Sequence, residues 1–482
     1  MDDYQNLDRY QDNALGQLPM LQVYSHLMYL FPLSEQISRE KVVQELSDAV
    51  TKVRKAVPWL GARVVNVGKT ATSSGVYRPV ATAFPSPAID VADATGNPAV
   101  PTYAEFRAAK AALGKIDSKI CTPVPGFPVK CDVDSDEHPA HVVRVQATFV
   151  RGGVLVDFAI AHNMADARGH LGFIRLVAAT MRGESIPAPV LAQACQDRRD
   201  AVPLLRDDEP MLDHSHHRRP PVTADAPLTG NIKEPARYHV FRFTVASMAA
   251  LKELASAGSQ PQQQTTTNGT SGVSLPPPPS VPFISTDDAL CAFYWQRVTA
   301  ARQASRDSAP LPASTVSRFT RQADGRRLVG LGPDYMADVI HTVSTWLTLG
   351  EVTGLPLSGV AAHLRARLDA TNTAHHLRSF ATFVAREPDK STITYAGAFD
   401  ARVDVGCTST RSLWREAFPS FGPLLGTPEF LRRPPSIPFP GTLALFPGSP
   451  GGDCDAVACL TDSEFDALSA DPEWVKYVEY IG

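Results

Sequence analysis

An imidazole and a carboxylate stand four positions apart in Ala161-His162-Asn163-Met164-Ala165-Asp166. Imidazole titrates nearer neutrality than any other unperturbed side chain. His162 is therefore well suited to take a proton from a weak nucleophile as a general base. The spacing alone fixes only two positions. A buried histidine bonded to a neighbouring carboxylate satisfies it equally well, so the question becomes what holds the pair in place.

Two alternating segments precede it. Val143, Val145, Ala147 and Phe149 share one face of the first, with Arg144, Gln146 and Thr148 on the other. After Arg151-Gly152-Gly153, the residues Val154, Val156, Phe158 and Ile160 repeat the period, which predicts a β-hairpin. Beyond Asp166 the period lengthens: Phe173, Ile174, Val177 and Met181 fit one helical face, with Gly183 as the stop. His162 is thus expected where an inner strand gives way to a helix, held by rigid elements yet reachable.

Other chemistries find no support. The chain has no Gly-x-Ser-x-Gly elbow, P-loop, dinucleotide fingerprint or His-Glu-x-x-His. Seven cysteines spread over 482 residues include no Cys-x-x-Cys, so reduced thiols are expected rather than a disulfide framework or a structural zinc site. No metal is expected. A net charge of -4 without a basic run argues against nucleic-acid binding. The start, Met1-Asp2-Asp3-Tyr4, has no signal-peptide character, and Leu18 to Leu33 is interrupted by Gln22, Ser25 and His26, so no membrane span is expected.

The length suggests two domains. An N-terminal one, 1–183, begins with a strand within 20–33 and a helix capped by Ser38 and ended by Pro58. Val64 and Val65 open a further strand, and 84–140 reads mostly as loop with a short helix near 103–113. Residues 184–236 form a linker whose histidines, His214, His216 and His217, lack zinc-ligand spacing and are expected to be solvated. The C-terminal domain, 237–482, carries a low-complexity insertion at 258–282. Its helix after Ser285-Thr286 has Leu290, Phe293, Tyr294 and Val298 as a core stripe, and Thr461-x-x-Glu464 is a capping box after two late strands. Strands and helices without strict alternation predict an α+β fold.

Several stretches together carry a resemblance. They are Leu15-Gly16-Gln17-Leu18-Pro19, Ala56-Val57-Pro58-Trp59, the His162 motif, Ser285-Thr286-Asp287-Asp288-Ala289-Leu290-Cys291-Ala292-Phe293, Pro388-Asp389-Lys390-Ser391 and Phe421-Gly422. Leu425-Gly426, Arg432-Arg433-Pro434 and Ala470-Asp471-Pro472-Glu473-Trp474-Val475-Lys476-Tyr477 follow in order. The chain resembles the fungal trichothecene 3-O-acetyltransferases, within the BAHD acyltransferase superfamily, over nearly its whole length. That resemblance implies two similar mixed-sheet domains flanked by helices, of the chloramphenicol acetyltransferase type, around a tunnel. It implies acetyl-CoA or another acyl-CoA as co-substrate and a small-molecule hydroxyl acceptor, with no permanently bound cofactor; a monomer is expected, and the cysteine pattern points to the cytoplasm. His162 would be the base. Asp166 would be structural, turned away to pair with an arginine the sequence does not identify.

The resemblance also suggests Ser409 or Thr410 as oxyanion donor, and Arg326, Arg432, Arg433, Phe421 and Gly422 on the CoA side. Two departures stand out. Ala167 replaces a glycine common in plant relatives, and Ser420 replaces the acid of the family's second signature, removing a salt bridge expected to stiffen that loop. N-acylation, a longer acyl donor, and a non-catalytic binding member remain open alternatives at this point.

Overall fold

The computed structural model describes residues 7–482 apart from 12, 83–86, 220–231, 233, 258–276 and 305–309. Most of the expected insertion and part of the linker therefore lie outside the described residues. Two sheets dominate. The first runs, in spatial order, Phe430–Arg432, Tyr24–Pro32, Gly153–Ala161, Val143–Val150, Asp90–Asp93. Its pairs are antiparallel except the last, which is parallel. The expected hairpin is its centre, with Val145 opposite Phe158 and Ala147 opposite Val156. Strand Asp90–Asp93 falls inside a stretch expected to be loop; four residues leave too little period to read.

The second sheet has seven strands: Glu479–Tyr480, Ala236–Phe243, Cys454–Thr461, Thr442–Pro447, Val405–Ser409, Val316–Asp324, Ile340–Thr348. Val405–Ser409 pairs in parallel with both neighbours; the other pairs are antiparallel. The fold is thus α+β, with two mixed sheets flanked by helices. The short strand Phe430–Arg432 comes from the C-terminal half but completes the first sheet, placing Arg432 beside Met28.

The apolar face of the hairpin packs, with Val42, Leu46, Val50 and Val53 of helix Arg39–Ala56 and Phe173, Ile174 and Val177 of helix Ala167–Met181, into one core. Each such fully buried side chain contributes about 1.5–3 kcal/mol relative to exposure. The other face is not solvent. Met28, Leu30 and Leu155 meet Val240, Ala444 and Val457 of the second sheet, and Gln146, Thr148, His26 and Asp157 are buried there too. The alternation of polar residues along the hairpin thus marks an internal surface between the two halves.

Local chemistry explains the helix starts. Ser38 accepts from Lys41 N, Thr461 and Glu464 form the capping box, and Ser285 with Asp288 satisfies the head of helix Thr286–Ala304. Phe293 of that helix stacks on Trp474 at 5.6 Å, inside the second core.

The linker histidines contradict the expectation of a solvated tract. His214 and His217 are buried, and His214 packs edge-on to His376 at 5.2 Å and beside Phe380. His214 Nε2 lies 2.9 Å from Ser379 Oγ. The aromatic helix Ala374–Arg386, distant in sequence, gives these polar rings a partner surface.

Candidate active site

His162 follows directly on the central strand Gly153–Ala161, in a turn closed by Met164 N donating to Ala161 O at 2.9 Å. Four separate segments fix that turn. His162 N donates to Val23 O at 2.9 Å, and Asn163 Nδ2 donates to Gly16 O at 2.8 Å. Arg198, from the linker, donates to Met164 O at 2.8 Å while lying 3.9 Å over the Trp59 ring. The fourth tie runs from Asp166, which caps helix Ala167–Met181 by accepting at Oδ1 from Arg168 N and Gly169 N at 3.0 Å each, to the segment 326–339.

Asp166 is almost fully buried and is turned to the C-terminal half. Its Oδ1 also takes Arg326 Nη2 at 2.8 Å, and its Oδ2 accepts from Val339 N at 3.2 Å. Arg326 spends its remaining reach on Tyr335 O, Ala337 O and Asp324. Burial opposes the Arg326 charge, but Asp166 and Asp324 outweigh it and hold the guanidinium above its ordinary range. Arg326, expected on the CoA side, is therefore the unidentified partner of Asp166, and at 2 % exposure it faces no open surface. The close approach of this segment also explains a glycine: a Cβ at Gly169 would fall 1.9 Å from Met336 O. Ala167 is merely the first helical residue.

The His162 ring is oriented across the boundary between halves. Its Nδ1 points inward, 3.9 Å from Oδ2 of Asp338, which is completely buried. Of the side chain, 27 % remains reachable. Loss of bulk solvation nevertheless pushes the imidazole pKa below its ordinary 6.5; its own main chain and Asp166 oppose this shift, and the Arg433 charge adds to it. A ring that is reachable and still poorly solvated is enclosed within the molecule. It stays neutral, and so basic, at pH 7.

The other expected contacts divide. Arg433 is half-buried with its guanidinium 5.7 Å over Phe127, close enough for its charge to act on His162. Arg432 does not face a ligand: it is buried against Asp455 at 2.9 Å and Ala111 O at 2.8 Å. Phe421 does not either. It is fully buried, 5.2 Å from Phe31 and 5.8 Å from Tyr29, as an apolar plug under the first sheet. Gly422, at φ +77°, is required by packing, since a Cβ would lie 2.7 Å from Met181 O.

Ser409 gives its hydroxyl proton to Asp287 at 2.8 Å, which removes it as oxyanion donor in this arrangement. Thr410 is half-buried just past the same strand, with its amide on Leu445 O. No described hydrogen bond joins it to the His162 turn. The Ser420 loop is not loose: Arg182 donates to Ser420 O at 2.6 Å while its other nitrogens take Glu184. Among the described residues no group of His, Cys, Asp or Glu could hold a metal ion.

A cavity of about 1020 Å³ opens between the segment 114–126 and residues 435–437, with Lys115 and Lys119 in its lining. Gly126 in its wall backs onto His26, whose Nδ1 lies 2.7 Å from Asp157 Oδ2. Sequence reasoning missed Asp338, Arg198 and the His26–Asp157 pair. Asp338 and Arg198 come from segments without a readable period, and the third is a contact across two strands.

Comparison with known proteins identifies the family. Residues 23–180 match a family model described as the trichothecene 3-O-acetyltransferase-like N-terminal domain, and residues 126–475 match the transferase family. The chain is 48 % identical to the O-acetyltransferase epaC of Aspergillus niger, over 100 % of this chain and 98 % of that protein. It is 42 % identical to the O-acyltransferase pigD of Monascus ruber, over 98 % and 99 %. The crystal structure of F. graminearum TRI101 complexed with coenzyme A and T-2 mycotoxin superposes with a TM-score of 0.83 at 27 % identity, covering 98 % of this chain and 99 % of that one. Family models, relatives and solved fold converge: the chain belongs to the transferase family, with a trichothecene 3-O-acetyltransferase-like N-terminal domain, and is an O-acyltransferase.

Proposed function

We propose that His162 is the general base of a CoA-dependent acyl transfer, moving acetyl from acetyl-CoA to a hydroxyl of a small fungal secondary metabolite. One observation carries this reading. His162 is the reachable imidazole of a turn pinned by four segments, and enclosure keeps it neutral. With Nδ1 directed inward, Nε2 is the nitrogen left to a substrate.

Nε2 takes the acceptor hydroxyl proton as the oxygen attacks the thioester carbonyl. The tetrahedral oxyanion collapses, the C–S bond breaks, and the imidazolium returns its proton to the departing thiolate. No covalent enzyme intermediate is needed, because thiolate leaves readily. The two substrates meet in a tunnel between the halves, 1–183 and 237–482, joined through 184–236. The buried polar face of the first sheet and the 1020 Å³ cavity beside it support that route. Arg433, half-buried with its guanidinium over Phe127, is the arginine we assign to an anionic group of the donor. All seven cysteines are free thiols, in keeping with a cytoplasmic enzyme. The similarity to pigD, an O-acyltransferase by name, leaves room for an acyl chain longer than acetyl.

Thiol release from acetyl-CoA, followed with a panel of hydroxylated fungal metabolites, tests the reading. His162→Ala should lower turnover about a hundredfold or more, the scale of general-base removal. A folded His162→Ala enzyme with near-normal turnover overturns it.

A further inference from the structure

The geometry points to Asp338, contributed by the C-terminal half, as the positioning carboxylate of His162, with the motif's own Asp166 acting on the imidazole by its charge and through the backbone, not by a bond to the ring. The inference rests on His162 being the base. Asp166 has no capacity left for the ring. Its two oxygens serve two helix amides, Arg326 and Val339 N. Asp338 is the carboxylate that faces Nδ1, at 3.9 Å and with no exposure.

The segment carrying it is held rigidly. Ala337 O accepts from Arg326 Nη2 at 2.9 Å, Val339 N is tied to Asp166, and Asn13 Nδ2 donates to Asp338 O at 2.9 Å. Ile340 N donates to Asp338 Oδ1 at 2.9 Å, leaving Oδ2 as the oxygen on the histidine side. Asp166 thus sets the register between His162 and Asp338 by bonding the residue after Asp338.

The chemical consequence follows from hydrogen-bond roles. A carboxylate opposite Nδ1 favours the tautomer with its proton on Nδ1, which frees the Nε2 lone pair for the acceptor hydroxyl. As the ring becomes imidazolium, the buried anion stabilises the new charge. The gap is about 1 Å longer than a hydrogen bond, and such contacts tighten when substrate binds. Among the described residues, the charged or titratable groups around the ring are Asp166 at the helix start, Asp338, Arg433 and His170. Arg433 and burial favour the neutral form; the carboxylates favour the charged one.

Asp338→Asn keeps size but presents an N–H to Nδ1, driving the ring proton to Nε2. The expected result is a kcat about ten- to a hundredfold lower with the acyl-CoA and acceptor KM within twofold. The acid limb of the kcat/KM profile should move to lower pH, because a charge that favours imidazolium is gone. A kcat within twofold of wild type, or a lower kcat with the limb unmoved, overturns the inference. Nitrogen NMR of ¹⁵N-histidine-labelled wild-type enzyme, with His162 assigned by His162→Asn, needs neither turnover nor the Asp338 variant to fold. A proton on Nε2 overturns the pairing; a proton on Nδ1 supports it when Asp338→Asn also moves the acid limb, because the ring's own carbonyl favours Nδ1 as well. That readout separates failure of the pairing from failure of the base assignment, which His162→Ala turnover reports by itself.

Discussion

At the scale of single residues, the proposed site turns on charge balance around one imidazole. Burial lowers the His162 pKa most, Arg433 adds to the lowering, and Asp166 opposes it. Arg433→Ala should therefore move the acid limb of kcat/KM to higher pH, the opposite direction to Asp338→Asn. Its KM for acetyl-CoA should rise about tenfold, the loss of one charge-assisted hydrogen bond to the donor. An unmoved limb with unchanged KM would show that Arg433 faces neither ring nor donor. Arg326 and Arg432 illustrate why arginines are hard to assign from sequence. A guanidinium in a run of charges reads the same whether it meets phosphate or lies buried against Asp166 or Asp455.

At the scale of elements, the second signature loop shows structure replacing an expected contact. Ser420 lacks the carboxylate, but its carbonyl is held by Arg182, whose guanidinium is already engaged by Glu184. Ser420→Asp should leave the denaturation midpoint and the KM for acetyl-CoA close to wild type. A marked gain in either restores the missing-salt-bridge account. Gly422 is different. Its left-handed backbone and the Met181 carbonyl leave no space for a methyl group, so Gly422→Ala should destabilise by about 2–4 kcal/mol, strain and overlap together. Chemical denaturation reads this directly, and wild-type stability would refute the packing argument. The hairpin and the capping box of Thr461 and Glu464 were legible because their hydrogen-bond and burial periods are local. Strand Phe430–Arg432 was not, since three residues acquire meaning only against Tyr24–Pro32.

At the scale of the molecule, the described part of the stretch expected as a linker is a structural tie, and it should be sensitive to acid. Burial pushes the pKa of His214 down to about 4 and that of His376 to about 3, and neighbouring histidines add to both shifts. Unfolded histidine titrates near 6.5. Between pH 6.5 and about 4 the unfolded chain therefore binds more protons. Stability from these rings is complete above pH 6.5 and declines as pH falls through that window. Thermal midpoints should drop from pH 7 to pH 5, and less steeply in His376→Gln. Equal slopes would show that this cluster is not the acid-sensitive element. The same linker supplies Arg198 to the His162 turn, so loosening it at low pH should weaken the site as well as the fold.

The sequence by itself determined the strand-to-helix corner that carries His162, the α+β class, the helix caps and the family, because period, capping chemistry and motif order are properties of neighbours along the chain. Tertiary structure alone decided that Asp166 pairs with Arg326, that the linker histidines are buried, and that Asp338 faces Nδ1. Those depend on which distant segments share a dry interior, where a charge must find a partner whatever its separation along the chain.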